Sequence, residues 1–357
     1  MKEFYFKNFE SGLLNLVALV FLLATPANAE DGDFLTTPVR VKFNERIDNA
    51  VESYEIKYES DGLTISGFLF VPITAKAEPR PFPCVIYNRG GNNLQFKREL
   101  DFGALKITDR TCPELASLAS KGYIVVASQY RGFGPDDEWG AAMEQFGGKD
   151  VNDVTSLVPL LKKLQKGSHP EAIKLPSGIS EKVDADKIAM YGWSRGGMMT
   201  YLALRKLAAQ SDTIPITTAV IGAGPTNLFS SELERPNLRV DVHQPLIPNY
   251  ATNRVAELKK RSVVYWADEL PKSVSLLLLH GTTDDRVNIS QSRELANRLH
   301  HLGHPHQIIF AEQFDHSFER LPMDKAPFDR KSPLNIRWSE VIATKWLDRH
   351  LKPQVKK

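Results

Sequence analysis

The sequence predicts an α/β protein with a mostly parallel central sheet, helices on both faces and antiparallel strands at its N-terminal side. Three observations predict it. Beyond Arg80, short apolar runs alternate with longer stretches of helical character. Those runs are continuous in Val, Ile and Leu, as strands covered on both faces must be. Ahead of them, residues 51–72 alternate apolar and polar around "SDG" at 60–62, which reads as two antiparallel strands joined at a turn.

The elements follow in order. Lys2 and Lys7 precede an apolar run from Leu13 to Thr25, and "PANAED" then places Ala27 and Ala29 in an A-x-A pattern. This is the layout of a cleaved secretory signal over 1–29, cut after Ala29. The run is shorter than the roughly 20 apolar residues a bilayer span needs. The expectation is a secreted or periplasmic protein with no stable membrane association after cleavage. Residues 30–50 read as an N-terminal extension, and 51–357 as one catalytic domain. Its parallel strands are expected at 84–87, 123–130, 187–192, 217–224, 274–280 and 307–312. Helices are expected at 113–122 and 292–303, each ending on glycine, and at 338–351. A further helix at 150–164 carries Pro159, which implies a kink or a break. Residues 225–272 hold clustered prolines. They read as an irregular, lid-like insertion over the carboxyl edge of the sheet, followed by a helix at 254–264.

Composition narrows the function. The 357 residues carry 45 basic and 43 acidic side chains, a net charge of +2, which gives no electrostatic footprint for nucleic acid. Of the two cysteines, Cys84 lies in a strand-like run. It fits either a buried thiol or a bridge to Cys112. His300, His301, His304 and His306 lack a zinc-ligand spacing, and no metal or other cofactor is expected. Asp184 and Asp186 read as turn residues ahead of the 187–192 strand.

The chemistry concentrates in "YGWSRGGMMT" (191–200). Ser194 follows a buried strand, opens a helix, and is flanked by Gly192 and Gly196 at G-x-S-x-G spacing. A strand turning at once into a helix strains the serine, and side chains two residues to either side would collide. The helix N-terminus favours negative charge there, and the Arg195 N–H is placed to bind an oxyanion. A serine needs a base, and the base an orienting acid. "LLLLHGTTDDRV" places Asp284 and Asp285 beyond one strand, and "IIFAEQFDHSF" places His316 beyond the next. The residues alone leave both aspartates open. The second oxyanion donor is expected from Gly90 or Gly91 in "IYNRGGNN" (86–93). "YRGFG" (130–134) is expected to shape the rim of the site.

Together these stretches resemble the prolyl oligopeptidase family of serine peptidases, within the α/β-hydrolase superfamily. "YGWSRGG" is similar to its nucleophile elbow, "LLLLHGTTDDRVNISQS" to its H-G-x-x-D-x-x-V segment, "FDHSF" to its histidine loop and "SQYRGFG" to its strand-end segment. The resemblance runs from about residue 55 to 352. It implies an α/β-hydrolase fold and acyl transfer to water, with Ser194 as nucleophile, His316 as base and Asp284 as acid. It leaves no room for the N-terminal propeller of many relatives. It also departs from them at "RGGN" (89–92), where a backbone oxyanion hole with Arg89 at the rim is expected. The implied substrate is a small peptide, with an ester as the alternative.

Overall fold

The computed structural model describes residues 29–43, 45–73, 81–92, 112–132, 143–319 and 338–352. The signal-like segment at 1–28 lies outside them. Nine strands are described: β1 (Val39–Val41), β2 (Val51–Ser60), β3 (Leu63–Pro72), β4 (Phe82–Asn88), β5 (Ile124–Ser128), β6 (Val183–Trp193), β7 (Ile216–Gly222), β8 (Ser275–Gly281) and β9 (His306–Ala311). They form one sheet in the order β1-β2-β3-β5-β4-β6-β7-β8-β9. Strands β1, β2, β3 and β5 pair antiparallel, and β5, β4, β6, β7, β8 and β9 pair parallel. The chain has the α/β-hydrolase architecture.

Ten α-helices accompany the sheet among the described residues. They are α1 (Glu45–Ala50), α2 (Cys112–Ser120), α3 (Asp150–Thr155), α4 (Leu157–Lys166), α5 (Arg195–Gln210), α6 (Leu228–Glu234), α7 (Gln244–Leu246), α8 (Tyr250–Arg261), α9 (Ser290–His301) and α10 (Trp338–Leu351). The continuous apolar strands split by alternation. Cys84, Ile86, Ile124 and Val126 join the core under α4, α5 and the 225–272 segment, whereas Val85, Val125 and Ala127 join the core under α1, α2 and α10. Each face of the sheet is thus covered, which is why these runs show no polar side.

Several elements differ from expectation. The 150–164 helix is two helices meeting at Ser156, because Pro159 has no N–H to offer the Thr155 carbonyl one turn back. Residues 225–272 are mostly helical rather than irregular. Pro236 and Pro248 fall between helices, and Pro245 sits where a π-helical turn over Arg239–His243 passes into α7. The helix expected at 254–264 runs instead over Tyr250–Arg261. Asp184 and Asp186 lie inside β6, at the irregularity where its register against β4 shifts between Pro83 and Cys84. Cys84 is a free buried thiol 3.6 Å from the Asp184 carbonyl oxygen. The side chain of Cys112 lies outside the described residues. In the N-terminal extension, Phe34 bridges Tyr58, and Val39–Val41 adds the edge strand.

Register positions the site. Asn88 is level with Gly192, Trp193 with Gly222, Gly222 with Leu279, and Gly281 with Ala311. The loops leaving β4, β6, β8 and β9 therefore emerge side by side at one edge.

Candidate active site

Ser194 occupies the turn from β6 into α5 with φ 56° and ψ −126°, a conformation costly for a residue with a Cβ. The strain is held in place. The Ser194 N–H donates to the Gly222 carbonyl at 2.7 Å, and the Gly197 N–H donates to the Ser194 carbonyl at 2.8 Å. A Cβ on Gly196 would lie 1.8 Å from the Asn88 carbonyl oxygen, and one on Gly192 would lie 2.2 Å from the Gly196 carbonyl oxygen. Both positions exclude side chains for steric reasons, as the spacing in the sequence suggested.

His316 lies 3.0 Å through Nε2 from Ser194 Oγ and 2.8 Å through Nδ1 from Asp284 Oδ2. Asp284 Oδ1 accepts from the N–H groups of Arg286 at 2.8 Å and Val287 at 2.9 Å. Burial pushes the Asp284 carboxyl up. Hydrogen bonds from His280 and His316, the charge on His316 and the Val287 N–H outweigh it and hold the group well below the usual carboxylate range. Asp285 is exposed and takes no part in this relay. The imidazole is thus supplied with an acceptor at Nδ1 and a hydroxyl at Nε2. That is the arrangement needed to remove the serine proton and later return it.

Gly90 closes the other side of the serine. A Cβ there would sit 3.1 Å from Ser194 Cβ and 3.8 Å from its Oγ, so the loop backbone passes directly beside the hydroxyl. Gly91 follows, and its carbonyl accepts from Arg195 Nη1 at 3.0 Å. The Arg195 side chain is buried, with Nη1 2.6 Å from Glu144 Oε2 and Nη2 2.5 Å from Asp150 Oδ2. Asp150 in turn accepts from the Gly147 and Gly148 N–H groups. One residue therefore opens the helix with its backbone and ties the Gly91 loop to the 144–150 segment with its side chain.

Two residues expected at the rim are elsewhere. Arg89 is buried, with Nη2 donating to the Gln129 carbonyl at 2.6 Å and its guanidinium 4.7 Å from the Tyr130 ring centroid. Arg131 turns away from the site into a buried cluster, bonding Asp153 through Nε and Nη2 and reaching Asp61 in the β2–β3 turn. Its neighbour Tyr130 does face the site's supports, with its ring 4.9 Å from the Arg195 guanidinium.

Three supporting groups went unassigned in the sequence. The Trp193 indole N–H donates to the His316 carbonyl at 2.9 Å, and its ring meets Phe318 edge-on, pinning the histidine loop to the elbow. Gly222 was the available signal, since a Cβ there would strike the Trp193 ring at 2.0 Å. Gln291 accepts from the Thr226 and Asn227 N–H groups at 2.9 and 2.8 Å, joining the loop after β7 to α9. His280 touches Asp284 Oδ2 at 3.3 Å. Among the described residues, no three or more His, Cys, Asp or Glu side chains are grouped to hold a metal ion. No helix there is long and apolar enough to cross a membrane.

Residues 179–326, which contain the elbow and both later loops, match the model of the prolyl oligopeptidase family. Over that segment the chain is similar to the prolyl oligopeptidase family. Among its relatives, the uncharacterized peptidase YtmA of Bacillus subtilis is 28% identical over 269 residues, covering 75% of this chain and 87% of YtmA. Human dipeptidyl peptidase 8 is 27% identical over 269 residues, covering 73% of this chain but 25% of its own length. Solved structures of similar fold include a puromycin-hydrolyzing peptidase of Mycobacterium tuberculosis, with TM-score 0.58, 18% identity, and coverage of 88% of this chain and 41% of that one. The Pyrococcus horikoshii acylaminoacyl peptidase gives TM-score 0.59, 21% identity, and coverage of 86% and 43%. The chain thus spans less than half the length of these solved peptidases.

Proposed function

We propose that this chain hydrolyses short peptides through an acyl-enzyme, with Ser194 as nucleophile, His316 as general base and acid, and Asp284 as the orienting carboxylate. The observation that carries the reading is the unbroken relay from Ser194 Oγ through both His316 nitrogens to Asp284 Oδ2, at 3.0 and 2.8 Å. His316 Nδ1–H donates to Asp284, which leaves Nε2 to accept the serine proton as Oγ attacks the carbonyl carbon. The oxyanion is held by the Arg195 N–H and a backbone N–H at Gly90 or Gly91. Each such donor is worth roughly 3 kcal/mol in the transition state. His316 then passes its proton to the leaving amine, and a water molecule, deprotonated by the same nitrogen, releases the acyl group.

Substrate choice is assigned to residues 225–272. That segment reaches the acid loop directly, since Arg235 Nη1 donates to the Arg286 carbonyl at 3.0 Å. The proposal includes export, with the mature chain starting at Glu30 and working outside the cytoplasm without a cofactor. N-terminal sequencing of the exported protein tests that part, and an intact Met1 terminus would overturn it.

The chemistry is tested by labelling with a fluorophosphonate, then by paired amide and ester substrates. Labelling should vanish in Ser194→Ala, and short peptide amides should be cleaved. Persistent labelling of Ser194→Ala would remove the serine from its role. Ester hydrolysis with no amide cleavage would shift the reading to a carboxylesterase or deacylase on the same residues.

A further inference from the structure

Beyond the Ser194, His316 and Asp284 relay, one fully buried titratable side chain touches it and has no assigned role. His280 is the penultimate residue of β8 and is 0% exposed. Its Nε2 lies 2.8 Å from the Val287 carbonyl oxygen and 3.3 Å from Asp284 Oδ2, and its Nδ1 lies 2.6 Å from Ser292 Oγ. A carbonyl oxygen only accepts, so Nε2 carries a proton, and Nδ1 is left to the Ser292 hydroxyl in the first turn of α9. The imidazole is braced at both nitrogens by elements that do not belong to the relay.

We propose that His280 is a positioning residue, holding Asp284 in the rotation at which Oδ2 faces His316 Nδ1. The inference rests on the reading of Ser194, His316 and Asp284 given above. Asp284 Oδ1 is already fixed by the Arg286 and Val287 N–H groups. The remaining freedom is rotation of the carboxylate about its last bond, and Oδ2 is the oxygen that must not turn away. His280 Nε2–H donates to the Val287 carbonyl and stands 3.3 Å from Asp284 Oδ2, so the ring bounds the carboxylate on that side and holds the loop carrying it. If Oδ2 swings off, His316 loses the acceptor that keeps its proton on Nδ1, and Nε2 is no longer reliably free to act as base. The effect on Ser194 is therefore indirect, through Asp284 and His316.

The test is a double-mutant cycle on the full chain. His280→Leu, His280→Gln and Asp284→Asn are made singly, and each His280 change is also combined with Asp284→Asn. The readouts are kcat, KM, Tm and the rate of fluorophosphonate labelling. His280→Leu should lower kcat and the labelling rate about 10- to 100-fold, as loss of a group that orients a site residue does. KM should stay within about twofold of its original value. His280→Gln, which restores an N–H donor, should recover most of the loss. In the Asp284→Asn background His280→Leu should cost little further, because no carboxylate is left to orient toward His316. Equal losses in both backgrounds, a change confined to KM, or unchanged kcat would overturn the proposal. Should His280→Leu fail to fold, Ser292→Ala removes only the brace at Nδ1 and should lower kcat more mildly; a folded Ser292→Ala protein with unchanged kcat and labelling rate would also overturn it. If Asp284→Asn alone left kcat untouched with His280 intact, the relay reading itself would fail, and that result is read separately from the cycle.

Discussion

Replacing Gly196 by alanine isolates the geometry on which the elbow depends. The new Cβ would be built 1.8 Å from the Asn88 carbonyl oxygen and 2.6 Å from its carbon, both backbone atoms at the end of β4. Ordinary contact begins near 3.4 Å, so the start of α5 and the end of β4 must part by about 1.6 Å. No rotamer change relieves a clash with backbone. The displaced parts carry Ser194 and the Arg195 N–H on one side and the Gly90 loop on the other, so the serine moves relative to the donor proposed at Gly90 or Gly91. A misplacement of about 1 Å costs on the order of 100-fold in rate, and the overpacking destabilises by about 1–3 kcal/mol. The assay is kcat on a peptide amide together with Tm. The expected result is a fall in kcat of roughly 100-fold or more in protein that is still folded at the assay temperature. A Gly196→Ala protein with full activity would refute the argument that backbone contact between β4 and α5 sets the serine's position.

Two further outcomes follow from the charges. Asp284 is held below the usual carboxylate range, so the folded chain binds fewer protons there than the unfolded chain. Its contribution to stability is complete above the ordinary value of about 3.9 and is lost as pH falls below that. Tm of the wild type should therefore drop more steeply from pH 5 to pH 3 than that of Asp284→Asn, and parallel curves would contradict the assignment. Arg131→Met strands the Asp153 carboxylate, whose side chain is 0% exposed, and should cost about 3–5 kcal/mol in denaturant unfolding. Because this cluster faces away from the serine, kcat per folded molecule should not change, and a selective loss of kcat would return Arg131 to the site.

How much was readable depended on the kind of force involved. The hairpin at 51–72 and the six parallel strands were legible because burial on one or both faces leaves a periodic or continuous apolar record in the chain. Ser194, Asp284 and His316 were legible because each follows a strand, and parallel strands end at one edge. Within residues 225–272 the expectation of irregular chain ahead of the helix failed, since several helices there are short and the clustered prolines masked them. Arg89, Arg131 and the Arg195 side chain were illegible for a different reason. An arginine after a strand looks the same whether it meets solvent, a neighbouring carbonyl or a distant carboxylate.

By itself the sequence determined the strands of the sheet, the strained serine turn with its two obligatory glycines, and the order Ser194, Asp284, His316. These are local requirements of backbone sterics and burial, written within a few residues of each other. Only the tertiary structure decided which aspartate faces His316, that Trp193 holds the histidine loop, that Arg195 braces the Gly91 loop through Glu144 and Asp150, and that His280 stands behind Asp284. Apart from His280 and Asp284, four positions apart, those contacts join segments distant in the chain, with Trp193 and His316 separated by 123 positions. Their partners are chosen by sheet order and register, which pairwise spacing along the chain does not encode.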